Sequence, residues 1–347
     1  MSDPFPSYPS YPAYQPPTGP PAPSPAALAF PHREPTPYHL MLRTWSYAWW
    51  RPVVGVVTAV LAFFLTATLL LGVVAIGWSA FQGGDFADNL RDNLDVTQGR
   101  PATLLGVNLG IAAMIPVTWA ILRIVHRMRP RWLASVVPRL RWRFLAVCLG
   151  LAVVALAAQV LVGLLLPGSD DEVSGTLNDF TVGTATTAVV VLLTTPLQAA
   201  GEEYLFRGYL LQAFGSFFRN KWVAIGITAT LFALAHGAQN FPLFFDRFAF
   251  GLIAGWLVTR TGGLEAGIAL HILNNFLAFG FALAFGDLGS TLNVSSVSWW
   301  NIVLTVTQSG VYTGLVLLVA HRMGLQTRTR PPWVEPSNGS DTTSVTA

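Results

Sequence analysis

Long apolar segments alternate with short polar or charged loops from residue 53 to residue 321. A helix needs about 20 apolar residues to cross a bilayer, and this length predicts eight spans. They lie near residues 53–78, 102–125, 143–167, 181–218, 222–238, 243–260, 263–285 and 298–321. The fourth exceeds a single crossing, so we expect it to be tilted, extended beyond the bilayer or kinked near Thr194-Thr195-Pro196. The pattern predicts an all-α, polytopic membrane bundle of about eight transmembrane helices.

The two ends of the chain follow a different pattern. Residues 1–37 contain 13 of the 24 prolines, and residues 325–347 are polar and rich in Ser and Thr. Neither composition allows a segment to bury an apolar core, so both are predicted to be disordered. The predicted division is therefore a Pro-rich tail over 1–37, a transmembrane domain over 38–324 and a second tail over 325–347.

Composition supports an integral membrane protein. The chain of 347 residues is 52% hydrophobic, with a mean hydropathy of +0.51, and only 11% of its residues are charged. A soluble domain usually contains about 25% charged residues. The single cysteine, Cys148, excludes an internal disulfide and a cysteine-based metal site, and its apolar surroundings predict a packing role.

Charge in the loops predicts orientation. Loops 79–100 and 168–179 are acidic, whereas loop 126–143 contains six arginines and no acidic residue. The positive-inside rule then places both termini in the cytoplasm, and the membrane is the plasma membrane if the protein is bacterial. The net charge of +3 arises from basic loops beside the spans, so the bilayer is the expected partner and nucleic acid is not.

Two adjacent carboxylates, Glu202 and Glu203, interrupt the fourth apolar segment. A carboxylate at the centre of a spanning helix costs about 2.5–3.5 kcal/mol even on insertion scales, so such residues are candidates for function. Candidate partners are His236 in the fifth segment and His271 in the seventh. We expect these three segments to form one intramembrane catalytic site.

Spacing predicts that Glu202 and His236 lie at similar depth. Glu202 precedes Asn220 by 18 residues, and His236 follows it by 16. If the chain turns at residues 219–221, both side chains lie ~24–27 Å from the turn, at ~1.5 Å per residue. His271 lies only ~12–15 Å from its own turn near residues 261–263. A tilted seventh helix or a sunken Gly-Gly loop would be needed to bring it to the same depth.

Three pairs of side chains share a helix face because their members are four residues apart: Glu203 with Arg207, Phe232 with His236, and His271 with Asn275. We expect Arg207 to neutralise Glu203, which leaves Glu202, rotated by about 100°, facing a cavity. A carboxylate beside a histidine can hold a water molecule and accept its proton. The amide of Asn275 and the ring of His271 can donate to an oxyanion.

These motifs resemble the CPBP family of intramembrane proteases, which includes the type II CAAX prenyl endopeptidases of the Rce1 type and the bacterial Abi proteins. The resemblance rests on Glu202-Glu203-x-x-x-Arg207, Phe232-x-x-x-His236 and His271-x-x-x-Asn275, complete and in order over residues 181–282. It implies catalytic roles for Glu202, Glu203, His236, His271 and Asn275, with Arg207 and Phe232 in support.

In such a family site the hydrolytic water is activated by the residues matching Glu202 and His236, and the oxyanion is stabilised by those matching His271 and Asn275. The family is often described as metalloproteases, and Glu202, His236 and His271 could form a His₂Glu set for a divalent metal such as zinc. The sequence contains no His-Glu-x-x-His helix. It therefore slightly favours a site that requires no cofactor, with metal as the alternative.

The leading hypothesis is an intramembrane endopeptidase of the CAAX-processing type that cleaves a membrane-anchored or lipidated substrate. Two other classes stay open. One is a non-enzymatic membrane factor, such as a bacteriocin-immunity or assembly protein. The other is a transporter that uses the buried carboxylates and histidines to carry protons or metal.

Overall fold

The computed structural model of the protein describes residues 31–330 except for 33, 168–176 and 287. Most of both predicted tails and the acidic residues 170–172 therefore lie outside the described residues. The helices are α1 (Trp50–Phe81), α2 (Phe86–Leu94), α3 (Pro101–Ala112), α4 (Met114–Ile124), α5 (Trp142–Gly163), α6 (Val182–Glu203), α7 (Leu211–Phe218), α8 (Lys221–Leu234), α9 (Phe241–Thr261), α10 (Glu265–Phe285), α11 (Leu288–Leu292) and α12 (Trp300–Arg322).

The all-α, polytopic membrane fold is confirmed. Within the described ranges, seven helices are long and apolar enough to cross a membrane, counting α3 with α4 and α6 with α7 as single spans. On α1, Leu61, Phe64 and Leu65 each leave about two thirds of their surface exposed. Large apolar side chains exposed in this way along one helix suit contact with lipid. Cys148 is fully buried in α5, as its surroundings predict.

The fourth apolar segment forms one helical rod over Val182–Phe218. At ~1.5 Å per residue its 37 residues extend ~55 Å, well beyond a hydrocarbon core of ~30 Å. The α-helix continues through Pro196, and the irregularity falls later, in a π-helical segment over Tyr204–Leu210. Such wide turns often mark functional sites. Here the segment begins directly after Glu203.

The predicted fifth span, over residues 222–238, is wrong in its length because the helix observed there is shorter. Helix α8 has 14 residues and ends at Leu234, so it extends only ~21 Å. The chain then turns at Gly237, whose φ of 81° lies in the left-handed region that glycine adopts readily. His236 therefore lies in the turn after the helix, although its ring still bonds to the last helical turn.

The two ends of the described chain meet. The backbone N–H of Thr36 donates to the hydroxyl of Thr329 at 2.9 Å, and the N–H of Thr329 donates to the carbonyl of Thr36 at 3.0 Å. Residues 34–37 and 326–330, which belong to the predicted tails, thus pack against each other. Two segments that bond directly lie at the same end of the bundle.

The loop before α10 is buried, and this burial places His271. Residues 261–272 are all buried, and the backbones of Val136 and Ala134 hydrogen-bond to Gly262 and Leu264. The guanidinium of Arg141 donates to both carboxylate oxygens of Glu265 at 2.9 and 2.6 Å. The loop that contains Gly262 and Gly263 is therefore buried in the protein. A sunken loop of this kind is one of the two arrangements that sequence analysis required to bring His271 to the depth of Glu202.

Candidate active site

Glu202 and Glu203 end helix α6 inside the bundle, where both side chains are buried. A side chain on the preceding Gly201 would collide with the backbone of Ile111, so α6 passes directly against α3 at this point. A buried carboxylate is tolerated only when other groups neutralise it or hydrogen-bond to it. The neighbours of the two carboxylates therefore define the site.

Glu203 pairs with Arg207, as its spacing predicts. The Nη1 of Arg207 donates to Oε1 of Glu203 at 2.8 Å, and the side chains are 1% and 0% exposed. The guanidinium also lies over the rings of Phe232 and Phe250, at 4.1 and 4.9 Å from their centroids. Cation–π contact gains strength where water is excluded. Phe232 thus supports the ion pair.

His271 contacts both carboxylates. Its Nδ1 lies 3.0 Å from Oε1 of Glu203, and its Nε2 lies 3.5 Å from Oε2 of Glu202. The expectation that Glu202 and Glu203 face different surroundings is therefore wrong in part, because one imidazole reaches both. The Glu203 oxygen, already paired with Arg207, acts as an acceptor, so Nδ1 of His271 is the donor.

A chain of amides holds the other oxygen of Glu202. The Nε2 of Gln198 donates to Oε1 of Glu202 at 2.6 Å, and the Nδ2 of Asn275 donates to Oε1 of Gln198 at 2.8 Å. Oε2 of Glu202 is buried and has no hydrogen-bond partner within the described residues. Sequence analysis missed Gln198, although it precedes Glu202 by four residues and so shares its face.

His236 flanks this cluster without bonding to it. Its Nδ1 lies 2.8 Å from the carbonyl oxygen of Phe232, and its ring centroid is 4.7 Å from that of Phe232. The ring of His271 lies at 5.9 Å from the same Phe232 ring. Phe232 therefore contacts the rings of both histidines. No direct Glu202–His236 hydrogen bond occurs among the described residues.

Two further charged residues on α9 were missed. The Nη1 of Arg247 donates to the side chain of Gln239 at 2.7 Å, and Asp246 accepts from the hydroxyl of Thr305 at 2.5 Å. Charges inside an apolar span are a signal for function or structure, and that signal was present in the sequence.

The set proposed for a metal does not fit one. In the part of the chain that the structure describes, no three His, Cys, Asp or Glu residues are placed to hold a metal ion together. The Nδ1 atoms of His271 and His236 are engaged by Glu203 and by the Phe232 carbonyl, which leaves the Nε2 of each ring as the atom that could face a ligand. Glu202, His236 and His271 therefore form no three-residue ligand set among the described residues.

Comparison with known proteins identifies the segment that carries these residues. Residues 184–277 match the family model of type II CAAX prenyl endopeptidases, described as Rce1-like. The matched segment is similar to an Rce1-like domain. This segment includes every predicted site residue from Glu202 to Asn275 and covers about a quarter of the chain. The Rce1-like family implies a protease with a membrane-associated protein substrate, and the resemblance to the CPBP family is confirmed.

One curated relative is an uncharacterized protein, YyaK, of Bacillus subtilis (strain 168). It is 28% identical over 137 residues, which cover 36% of this chain and 46% of the relative. The chain therefore matches about half the length of that protein. No solved structure matches the chain.

The glycine that faces Glu203 across the helix interface gives a first prediction. A Cβ on Gly267 would lie 2.5 Å from Oε2 of Glu203, whereas one on Gly280, on the same helix, would meet nothing within 4 Å. We expect Gly267→Ala to destabilise the protein by ~1–3 kcal/mol through overpacking. Gly280→Ala should leave stability unchanged or raise it by up to ~1 kcal/mol. Thermal unfolding in detergent measures both, and equal stability of the two variants would contradict the packing described.

Proposed function

We propose that this protein is an intramembrane endopeptidase that hydrolyses a peptide bond in a membrane-anchored or lipidated protein. The observation that carries the proposal is the position of Glu202. One of its oxygens is fixed by Gln198, and the other is buried, unbonded within the described residues and 3.5 Å from His271. A carboxylate held at one oxygen and free at the other is suited to act as a general base.

In the proposed reaction, Oε2 of Glu202 removes a proton from water, and the water oxygen attacks the carbonyl carbon of the scissile bond. His236, with its Nδ1 engaged by the Phe232 carbonyl, offers Nε2 to orient the same water. The proton accepted by Glu202 then passes to the leaving amine, as the usual sequence of general base and general acid requires.

The oxyanion formed by this attack needs hydrogen-bond donors. The amide nitrogen of Asn275 has two protons, of which one goes to Gln198 and the other is available. Because Nδ1 of His271 carries the ring proton, Nε2 of His271 and Oε2 of Glu202 are both acceptors. They can bond to each other only when a further proton lies on one of the two atoms. When that proton lies on His271, the ring becomes the second oxyanion donor. Glu203, paired with Arg207, fixes the ring in this orientation.

Substrate and setting follow from the same arrangement. The site lies among spanning helices, so a peptide anchored in or on the membrane would reach it by lateral approach. CAAX-prenylated peptides are the first substrate class to examine. We propose that the loop 126–143 and both termini are cytoplasmic, since the arginines concentrate there. The membrane would be the plasma membrane in a bacterial cell.

Hydrolysis can be tested with purified full-length protein in liposomes and matched farnesylated and unmodified CAAX peptides. We expect cleavage of the farnesylated peptide, with one ¹⁸O atom from labelled water in the new carboxylate. The same assay with a chelator examines the cofactor, and we propose that activity persists because Glu202 supplies the base. Loss of activity that zinc restores would contradict the metal-free mechanism. If the liposomes show no peptide cleavage but the protein carries protons across the membrane, the transporter hypothesis would replace the protease hypothesis.

A further inference from the structure

A cavity of about 570 Å³ opens on the surface of the bundle, and neither Glu202 nor His271 lines it. It is bounded by the segment that links α4 to α5 and by the start of α5. Four arginines and two tryptophans dominate its polar and aromatic lining: Arg131, Arg139, Arg141, Arg143, Trp119 and Trp142. No acidic side chain lines it.

Three of these arginines lack a partner. Within the residues that the structure describes, the guanidiniums of Arg131, Arg139 and Arg143 make no hydrogen bond or ion pair, and all three residues are exposed. Arg141 differs because it is bound to the buried Glu265. Like charges around one cavity repel, and an anion between them would relieve the repulsion. Guanidinium groups match phosphate oxygens in two-point contacts.

The surroundings of the arginines place the cavity at the membrane surface. Trp119 and Trp142 are 42% and 70% exposed and lie near the ends of spanning helices. Tryptophan is enriched at the boundary between lipid and water. The remaining lining is largely apolar and includes Phe144, Met323 and Leu325. A ligand for this cavity therefore combines an anionic group with an apolar part.

We propose that the cavity binds the headgroup of an anionic phospholipid. The phosphate lies between Arg131, Arg139 and Arg143, and an acyl chain follows the apolar wall. Basic pockets between transmembrane helices bind anionic headgroups in this way. Inorganic phosphate shares the headgroup's charge but lacks the acyl chain that the apolar wall would hold.

The cavity also touches both supports of the candidate active site. Tyr204 lines it, follows Glu203 directly and packs edge-on against Trp119 at 6.2 Å. Arg141 lines it as well and holds Glu265 at the start of the helix that contains His271. A bound lipid would therefore stabilise the elements that carry Glu203 and His271.

Native mass spectrometry of the full chain in detergent tests this site with phosphatidylglycerol, phosphatidylcholine and inorganic phosphate as probes. We expect selective retention of phosphatidylglycerol, and about tenfold weaker retention in Arg139→Gln/Arg143→Gln. The control Arg260→Gln/Arg328→Gln removes the same charge from exposed arginines outside the cavity and should change retention by less than about twofold. Phosphatidylglycerol should also raise the unfolding temperature of the unaltered protein more than phosphatidylcholine does.

Three outcomes would overturn the proposal. Equal retention and equal stabilisation by the two lipids would mean that the headgroup charge is not recognised. Equal losses in the two double variants would reduce the effect to diffuse attraction. Displacement of the lipid by millimolar phosphate, with phosphate retained in its place, would assign the arginines to a soluble anion. Because the assay contains no peptide, none of these outcomes depends on proteolysis.

Discussion

Replacing Glu202 with glutamine should lower kcat/KM for peptide cleavage by about 10³-fold or more while the protein stays folded. General base catalysis contributes about 10²–10⁴-fold, and the amide of glutamine cannot accept the proton. The substitution keeps the shape of the side chain, and its carbonyl oxygen can still accept from Gln198. Initial rates with the farnesylated peptide, together with the unfolding temperature, measure the two effects separately.

Asp246→Asn is a matched control for this loss. Asp246 is also a carboxylate within a spanning helix, although it is half-buried, and its bond is to Thr305, outside the Glu202–His271 cluster. We expect its activity to stay within a few fold of the unaltered protein. Full activity of Glu202→Gln, or an equal loss in both variants, would contradict the assignment of Glu202 as the base.

Removing the buried cation should have the second-largest effect. Arg207→Met removes the cation paired with Glu203 at 0% exposure and leaves it only the Nδ1 donor of His271, and breaking a buried ion pair in this way costs ~3–5 kcal/mol. Neutralising the carboxylate as well, in Glu203→Gln/Arg207→Met, should recover most of this stability because no unpaired charge stays buried. Thermal or chemical unfolding in detergent compares the single and double variants.

The double variant also separates stability from positioning. Its glutamine keeps an oxygen that can accept from Nδ1 of His271, so the ring should hold its orientation. A double variant that is no more stable than Arg207→Met would show that the fold needs the guanidinium for its contacts with Phe232 and Phe250 rather than for its charge.

Much of the candidate site was predictable because charge at membrane depth is conspicuous. Glu202, Glu203 and Arg207 stand out in an apolar segment, and the i,i+4 rule pairs Glu203 with Arg207 correctly. The turn after α7 was also predictable, since Asn220 caps the next helix through its side chain. These features depend on residues close in sequence.

The features that sequence analysis missed or could not explain have different physical causes. The approach of His271 to Glu202 was expected, but the contacts of residues 134–136 that bury the loop before its helix join distant segments, and no local pattern encodes them. Gln198 is uncharged, so its cost in an apolar helix is small and it drew no attention. The fifth span was overestimated because the apolar composition continues past Leu234, whereas the helix ends there before the left-handed Gly237.

The arginines of loop 126–143 show a related distinction. The sequence groups them as one basic loop, but the structure gives them different environments. Arg141 is bound to Glu265, whereas Arg131, Arg139 and Arg143 surround an open cavity. Arg141 thus anchors the helix that contains His271, whereas the other three guanidinium groups are available to a ligand.

The most direct test of the proposed site is a double-mutant cycle on kcat/KM with Glu202→Gln and His271→Ala. Groups that act as one catalytic unit are strongly non-additive, since either single change already removes the shared function. The arrangement predicts that the double variant is about as slow as Glu202→Gln alone. A double variant whose loss equals the product of the two single losses would show that Glu202 and His271 act independently, which contradicts one shared catalytic pocket.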